Sequence, residues 1–201
     1  MSLENIKSAY EKKKSGIKTR LNEFKALSER EKEKEFLFCL LTPQSNAQRC
    51  WEAVEQIFSF KDFNDDKIRE ILKTRTRFHN NKTSYILEGK SMWNKIRLAL
   101  VNQNSIELRN WLADNVKGYG LKEASHFLRN IGKSNNQIAI LDRHILKNLQ
   151  RCKVIKEAKI RGRKDYLEKE KAYIEFSKKL GIPADELDIF WWSEENGEIF
   201  K

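Results

Sequence analysis

Only two prolines, Pro43 and Pro183, and eight glycines interrupt 201 residues. So few breakers exclude a chain built from many short strands and tight turns. No segment alternates apolar and polar residues in the way a half-buried strand does. The apolar positions recur at helical spacing nearly throughout, and the fold class they predict is all-α. Cysteine is also scarce. Cys39, Cys50 and Cys152 form no C-x-x-C pair, and an odd count is a poor disulfide framework. Buried thiols in a reducing compartment are expected, and no iron–sulfur or zinc spacing is present. No apolar run approaches the roughly 20 residues that span a bilayer. The N-terminus, Met-Ser-Leu-Glu-Asn, lacks the apolar stretch of a secretory leader. These absences predict a cytoplasmic protein with no membrane partner, no metal and no cofactor.

What the chain has in excess is positive charge. Lys and Arg number 40 against 29 Asp and Glu, a formal net charge of +11. An anionic partner is the first to consider, and nucleic acid leads. A basic surface that only keeps a helical protein soluble is the plainer alternative.

Along the chain, residues 2–15 and 22–34 predict charged helices. Glu35-Phe-Leu-Phe-Cys-Leu-Leu41 is apolar on every side and predicts a buried central helix. Thr42-Pro-Gln-Ser-Asn46 breaks it, and Ser45 or Asn46 can cap the next helix. Thr74-Arg-Thr-Arg-Phe-His-Asn-Asn-Lys82 predicts a loop carrying Arg75, Arg77, His79 and Lys82. Such a loop can track a phosphate backbone while Phe78 stacks on a base, or it can be a solvated turn with Phe78 in the core. Helices are expected over 85–100, 105–116 and 121–130, with Gly132 as a stop. A basic connection spans 153–165. Further helices are expected from 166 to 180 and from Pro183 onward.

Gly118-Tyr119-Gly120 forms a tight turn between two of these helices. Such a turn presents N–H groups at a helix start, where the helix dipole also favours an anion. Lys122 follows in the first turn of the helix. A cation is disfavoured there, and nucleophilic catalysis by lysine requires a neutral amine. Twenty positions on, Asp142 stands where a helix N-cap belongs. Each residue alone has an ordinary explanation: a turn, a surface lysine, a cap.

Together, Val116-Lys-Gly-Tyr-Gly-Leu-Lys122 and Ile140-Leu-Asp142-Arg-His144 resemble the helix-hairpin-helix DNA glycosylase superfamily. Lys-Glu-Ala-Ser-His-Phe-Leu-Arg-Asn and Ala-Ile-Leu-Asp-Arg-His are similar to one branch of it, the second 8-oxoguanine DNA glycosylase/lyase family of archaea and some bacteria. The resemblance covers nearly the whole chain, most clearly 35–55, 75–90, 115–150 and the C-terminus. It implies a DNA repair enzyme of base excision. Lys122 would attack C1′ of the damaged nucleotide and Asp142 would assist, giving a Schiff base and then β-elimination. Gly118, Tyr119 and Gly120 would grip DNA, with Arg77 and His144 also on the DNA side. Leu41-Thr-Pro-Gln44 matches the superfamily's Leu-x-x-Gln element, making Gln44 the plug for the hole left by a flipped base. Phe78 would wedge or stack. The family ends in a lysine whose main-chain carboxylate reads the damaged base, with a tryptophan nine residues earlier; here those positions are Lys201 and Trp192. Oxidation turns guanine N7 from acceptor to N–H donor, so a fixed carboxylate there separates the two bases. Trp191 shares a face with Leu187 at i, i+4 and is expected in the core.

The implied architecture is two-lobed, with an interlobe cleft. One helical barrel lobe, 30–138, includes the hairpin. The other joins 1–29 to 139–201. A monomer acting on duplex DNA containing 8-oxoguanine is expected, associated with the nucleoid through that binding. A same-fold glycosylase for another lesion, an oxidised pyrimidine or a mismatch, is the nearest alternative. A non-catalytic helix-hairpin-helix DNA-binding module would need the hairpin and basic face but not Asp142.

Overall fold

The computed structural model describes residues 3–201. Among them are ten α-helices and no strand. None of these helices is long and apolar enough to cross a membrane. The chain forms two compact units, Leu27–Phe127 and Met1–Ala26 with Leu128–Lys201. The division falls inside one helix, α7 (Leu121–Asn130).

The unit of Leu27–Phe127 contains α2 (Glu29–Leu41), α3 (Ala47–Ser59), α4 (Asp65–Lys73), α5 (His79–Asn102) and α6 (Ser105–Asn115). Its core forms around α2, whose residues Phe36–Leu41 are all buried. The Phe36 ring lies 5.7 Å from Trp93, 5.3 Å from Tyr119 and 5.7 Å from Phe127. Truncating a phenylalanine so enclosed costs about 3–5 kcal/mol. Asn46, Asn64 and Asn104 cap α3, α4 and α6 through their side-chain oxygens.

The other unit contains α1 (Leu3–Lys25), α8 (Arg143–Arg151), α9 (Arg163–Leu180) and α10 (Ala184–Asn196). The α1 residues Ile6, Tyr10, Ile17 and Phe24 are buried. The Tyr10 hydroxyl donates to the Glu186 carboxylate, and its ring meets Phe190 edge-on at 5.9 Å. Trp191 is buried against Phe176 at 5.9 Å, the core role expected of it. Buried Arg129 pairs with buried Asp188 at 3.1 Å and lies over the Phe24 ring. Gly16 sits mid-helix in α1, where an added Cβ would come within 2.9 Å of the Ile199 side chain.

Three local expectations shift. The two N-terminal helices expected over 2–15 and 22–34 are divided differently: α1 continues unbroken to Lys25, and the break falls at 26–28. Ser28 and Glu31 form a reciprocal capping box that starts α2 there. The 74–82 loop ends at Phe78, and α5 begins at His79. Pro183 occupies the N-cap position of α10 rather than its first turn.

Candidate active site

The hairpin lies in the unit of Leu27–Phe127. Val116 accepts from the Tyr119 N–H at 3.0 Å, which closes the turn. Gly118 has φ +90°, and a Cβ there would fall 2.5 Å from the Tyr85 ring. Conformation and space therefore both require glycine. Tyr119 turns inward: its ring is buried and its hydroxyl donates to the Phe36 carbonyl at 2.8 Å. What Tyr119 offers outward is backbone alone. Lys122 follows in the first turn of α7, half-buried, as its spacing from the turn implies.

Glu123 organises this corner. One carboxylate oxygen accepts from the Gly120 N–H at 3.2 Å, and the other lies 3.0 Å from Lys122 Nζ. Gly120 precedes α7 and Glu123 is its third residue, the spacing of a capping box, so this contact was readable in the sequence. The carboxylate holds the amine beside the turn.

Two loops of the same unit carry further candidates. Gln44 is exposed, with φ 55°. Phe78 is 54% exposed, with φ 58°, and Arg77 lies over its ring at 5.6 Å. A left-handed backbone at a non-glycine residue costs of order 1–3 kcal/mol and clusters at functional sites. Of the two open readings for Phe78, the core one is excluded by its exposure.

Lys82 departs from expectation. It is 3% exposed, so its side chain cannot track a phosphate backbone. Its ammonium donates to the Leu41 carbonyl at 2.7 Å, the Pro43 carbonyl at 2.9 Å and Ser45 Oγ at 2.9 Å. Burial pushes it down to about 8, with further lowering from Lys122 and Arg77.

The other unit holds the carboxylate candidate. Asp142 caps α8, its Oδ1 accepting from the His144 and Ile145 N–H groups at 2.8 Å each. Both bonds fix the carboxylate and occupy one oxygen. The buried segment before it is tied to α9: Tyr166 donates to the Ala139 carbonyl, and the Ala139 N–H donates to Glu170. His144 Nδ1 lies 3.5 Å from a Glu195 oxygen, and Arg143 donates to its Nε2 at 3.0 Å. Trp192 is half-buried, 6.1 Å from the Phe200 ring, and Lys201 lies over that ring. Among the described residues, no cluster of His, Cys, Asp and Glu could hold a metal ion.

The profile of one protein family, described as 8-oxoguanine DNA glycosylase, matches residues 17–182. The chain belongs to the 8-oxoguanine DNA glycosylase family. Among its curated relatives in that family is a Fusobacterium nucleatum protein named 8-oxoguanine DNA glycosylase/AP lyase. It is 39% identical, the match covering 98% of this chain and 96% of that one. The crystal structure of the Methanocaldococcus jannaschii 8-oxoguanine DNA glycosylase superposes with a TM-score of 0.87 at 33% identity, covering 98% of this chain and 95% of that one. A second structure of the M. jannaschii enzyme, in complex with a 15mer DNA containing 8-oxoguanine, gives a TM-score of 0.87 at 31% identity, over 97% and 99% of the chains.

Proposed function

We infer that the protein is a bifunctional DNA repair enzyme, an 8-oxoguanine DNA glycosylase and AP lyase acting on duplex DNA. The observation that carries this reading is the family match over residues 17–182, with curated relatives of that activity aligned along nearly their whole length.

Lys122 is the proposed nucleophile. Its neutral amine attacks C1′ of the flipped nucleotide, the glycosidic bond breaks, and the oxidised base leaves with a proton. Ring opening gives an imine between Lys122 and the sugar. Loss of a C2′ proton then expels the 3′ phosphate and nicks the strand. Its place at the start of α7, where the Glu123 carboxylate holds Nζ at 3.0 Å beside the turn, supports the role. Asp142 is proposed to assist: a carboxylate fixed by two backbone N–H groups stabilises positive charge developing on the sugar and can relay a proton. Gly118, Tyr119 and Gly120 are proposed to bring a phosphate to the start of α7, where it displaces the Glu123 carboxylate from the Gly120 N–H, with Arg77 and His144 along the DNA. Gln44 and Phe78 are proposed to enter the duplex where the lesion leaves it. Lys201 and Trp192 are proposed to read the base. A main-chain carboxylate at Lys201 would accept from the N7–H of 8-oxoguanine and repel the N7 lone pair of guanine, while Trp192 stacks.

Borohydride reduction on duplex DNA containing 8-oxoguanine tests the lyase chemistry. A covalent adduct is expected with the unaltered protein and none with Lys122→Gln; no adduct with the unaltered protein would refute the imine. Oxidised-pyrimidine duplexes run alongside decide the lesion. Residues added after Lys201 are expected to reduce excision of 8-oxoguanine and to leave binding of undamaged DNA.

A further inference from the structure

Gln44 and Phe78 lie 34 positions apart, on the loops that follow α2 and precede α5. Both have left-handed backbones that their side chains disfavour, so something outside each residue must hold them there. One cluster does this for both. The Lys82 ammonium spends its three protons on the Leu41 carbonyl, the Pro43 carbonyl and Ser45 Oγ, atoms that bracket Gln44. Ser45 Oγ also accepts from the Arg77 N–H at 3.0 Å, the peptide next to Phe78. Ser45 N–H donates back to the Thr42 carbonyl at 3.1 Å, which tightens the first loop. Lys82 itself is anchored in α5, where its N–H donates to the Phe78 carbonyl at 3.0 Å. The chain thus leaves α2, passes Gln44, and is tied through one ammonium and one hydroxyl to the loop bearing Phe78.

None of the three acceptors is a carboxylate. A buried ammonium without a counter-ion is an expensive way to close a turn, and an apolar side chain would fill the space at lower cost. What an ammonium supplies, and an apolar chain does not, is three directed bonds from one point.

We propose that Lys82 is a positioning residue that locks Gln44 and Phe78 together as one two-pronged insert for the DNA duplex. The proposal rests on the reading that these two side chains enter the helix. Lys82 touches neither substrate nor the reacting atoms; it acts through the loops. Ser45 is its second attachment point, and its loss weakens the same device.

The experiment measures single-turnover excision of 8-oxoguanine from duplex DNA. A 2-aminopurine beside the lesion reports unstacking, and thermal melting by circular dichroism reports folding. Lys82→Met is expected to slow excision by about tenfold or more and to abolish the fluorescence rise. Ser45→Ala is the milder variant and is expected to slow excision by about threefold in the same direction. In a Gln44→Ala, Phe78→Ala background, either change is expected to add about twofold or less, because the groups it positions are gone. Equal losses in both backgrounds would overturn the proposal, as would excision at the unaltered rate by Ser45→Ala and Lys82→Met. If Lys82→Met does not fold, the Ser45→Ala pair decides. If the Gln44→Ala, Phe78→Ala protein itself excises at the unaltered rate, the insertion reading fails first, and Lys82 has nothing to position.

Discussion

Lys82 and Arg129 are equally buried, at 3% exposure each, and one stands in each compact unit. Arg129 is held by a carboxylate, Asp188, at 3.1 Å and by the face of Phe24. Lys82 is held by two carbonyls and a hydroxyl. The first arrangement joins α7, α10 and α1, and its partners are side chains on helices. The second joins loops, and two of its partners are backbone. A charge paired with a charge makes the unit depend on both, because losing one strands the other. A charge held by dipoles can be removed without stranding an opposite charge, so its loss falls on the geometry of the loops. Arg129 holds helices together in one unit, and Lys82 shapes the segments proposed to meet DNA in the other.

Removing each cation should separate these roles. Arg129→Met leaves Asp188 buried and unpaired, and is expected to lower stability by about 3–5 kcal/mol, read by denaturant melting. Lys82→Met is expected to lower it by no more than about 1–2 kcal/mol, since unsatisfied acceptors are offset by relief of a desolvated charge. Losses of similar size would erase the contrast.

The pH dependence of the two sites sharpens it. Burial raises Asp188 from 3.8 to about 7; Arg129 opposes the shift, and Asp142 and Asp185 add to it. A carboxyl raised on folding contributes stability that is fully present below about 4 and is lost as pH rises through about 7. Asp188→Asn, which keeps an acceptor for Arg129, is expected to flatten that decline. Lys82 is lowered from 10.5 to about 8, so its contribution is present above about 10.5 and is lost as pH falls through about 8. The stability of the unaltered protein relative to Lys82→Met is therefore expected to rise between those values, in an alkaline window where Asp188 is silent.

A smaller effect concerns the tail. Gly16→Leu would displace Ile199 and, with it, the segment leading to Lys201. Excision of 8-oxoguanine should fall by about tenfold, while strand nicking at a preformed abasic site, where there is no base to read, should hold. Equal loss of both would place Gly16 outside base recognition. The smallest effect expected is that of Ser28→Ala, which removes one half of a capping box and should cost about 1 kcal/mol with activity unchanged.

The helical fold was legible because apolar spacing and caps are local signals; Asn46, one of two candidates for its helix, and Asp142 both cap as read. The α1–α2 break was misplaced because the Ser28-x-x-Glu31 signature lay inside a uniformly charged stretch and was passed over. Lys122 and Asp142 could be singled out because a turn and a cap leave spacing marks, although their roles came only through resemblance. The burial of Tyr119 and of Lys82 left no mark in the sequence. A lysine in a polar run reads as solvated, and nothing local turns a tyrosine between two glycines inward. The partners that bury them, the Phe36 carbonyl and the carbonyls of Leu41 and Pro43, lie 83, 41 and 39 residues away. Backbone carbonyls carry no residue signature, so no pattern of side chains announces them.

The left-handed backbone at Gln44 and Phe78 has a practical consequence for engineering. Glycine at either position would relax the chain, so a screen that rewards melting temperature alone should enrich it there. If both side chains enter the duplex as proposed, the variants recovered would be sturdier proteins with blunted tools, and heat resistance and repair capacity are set against each other at these two positions.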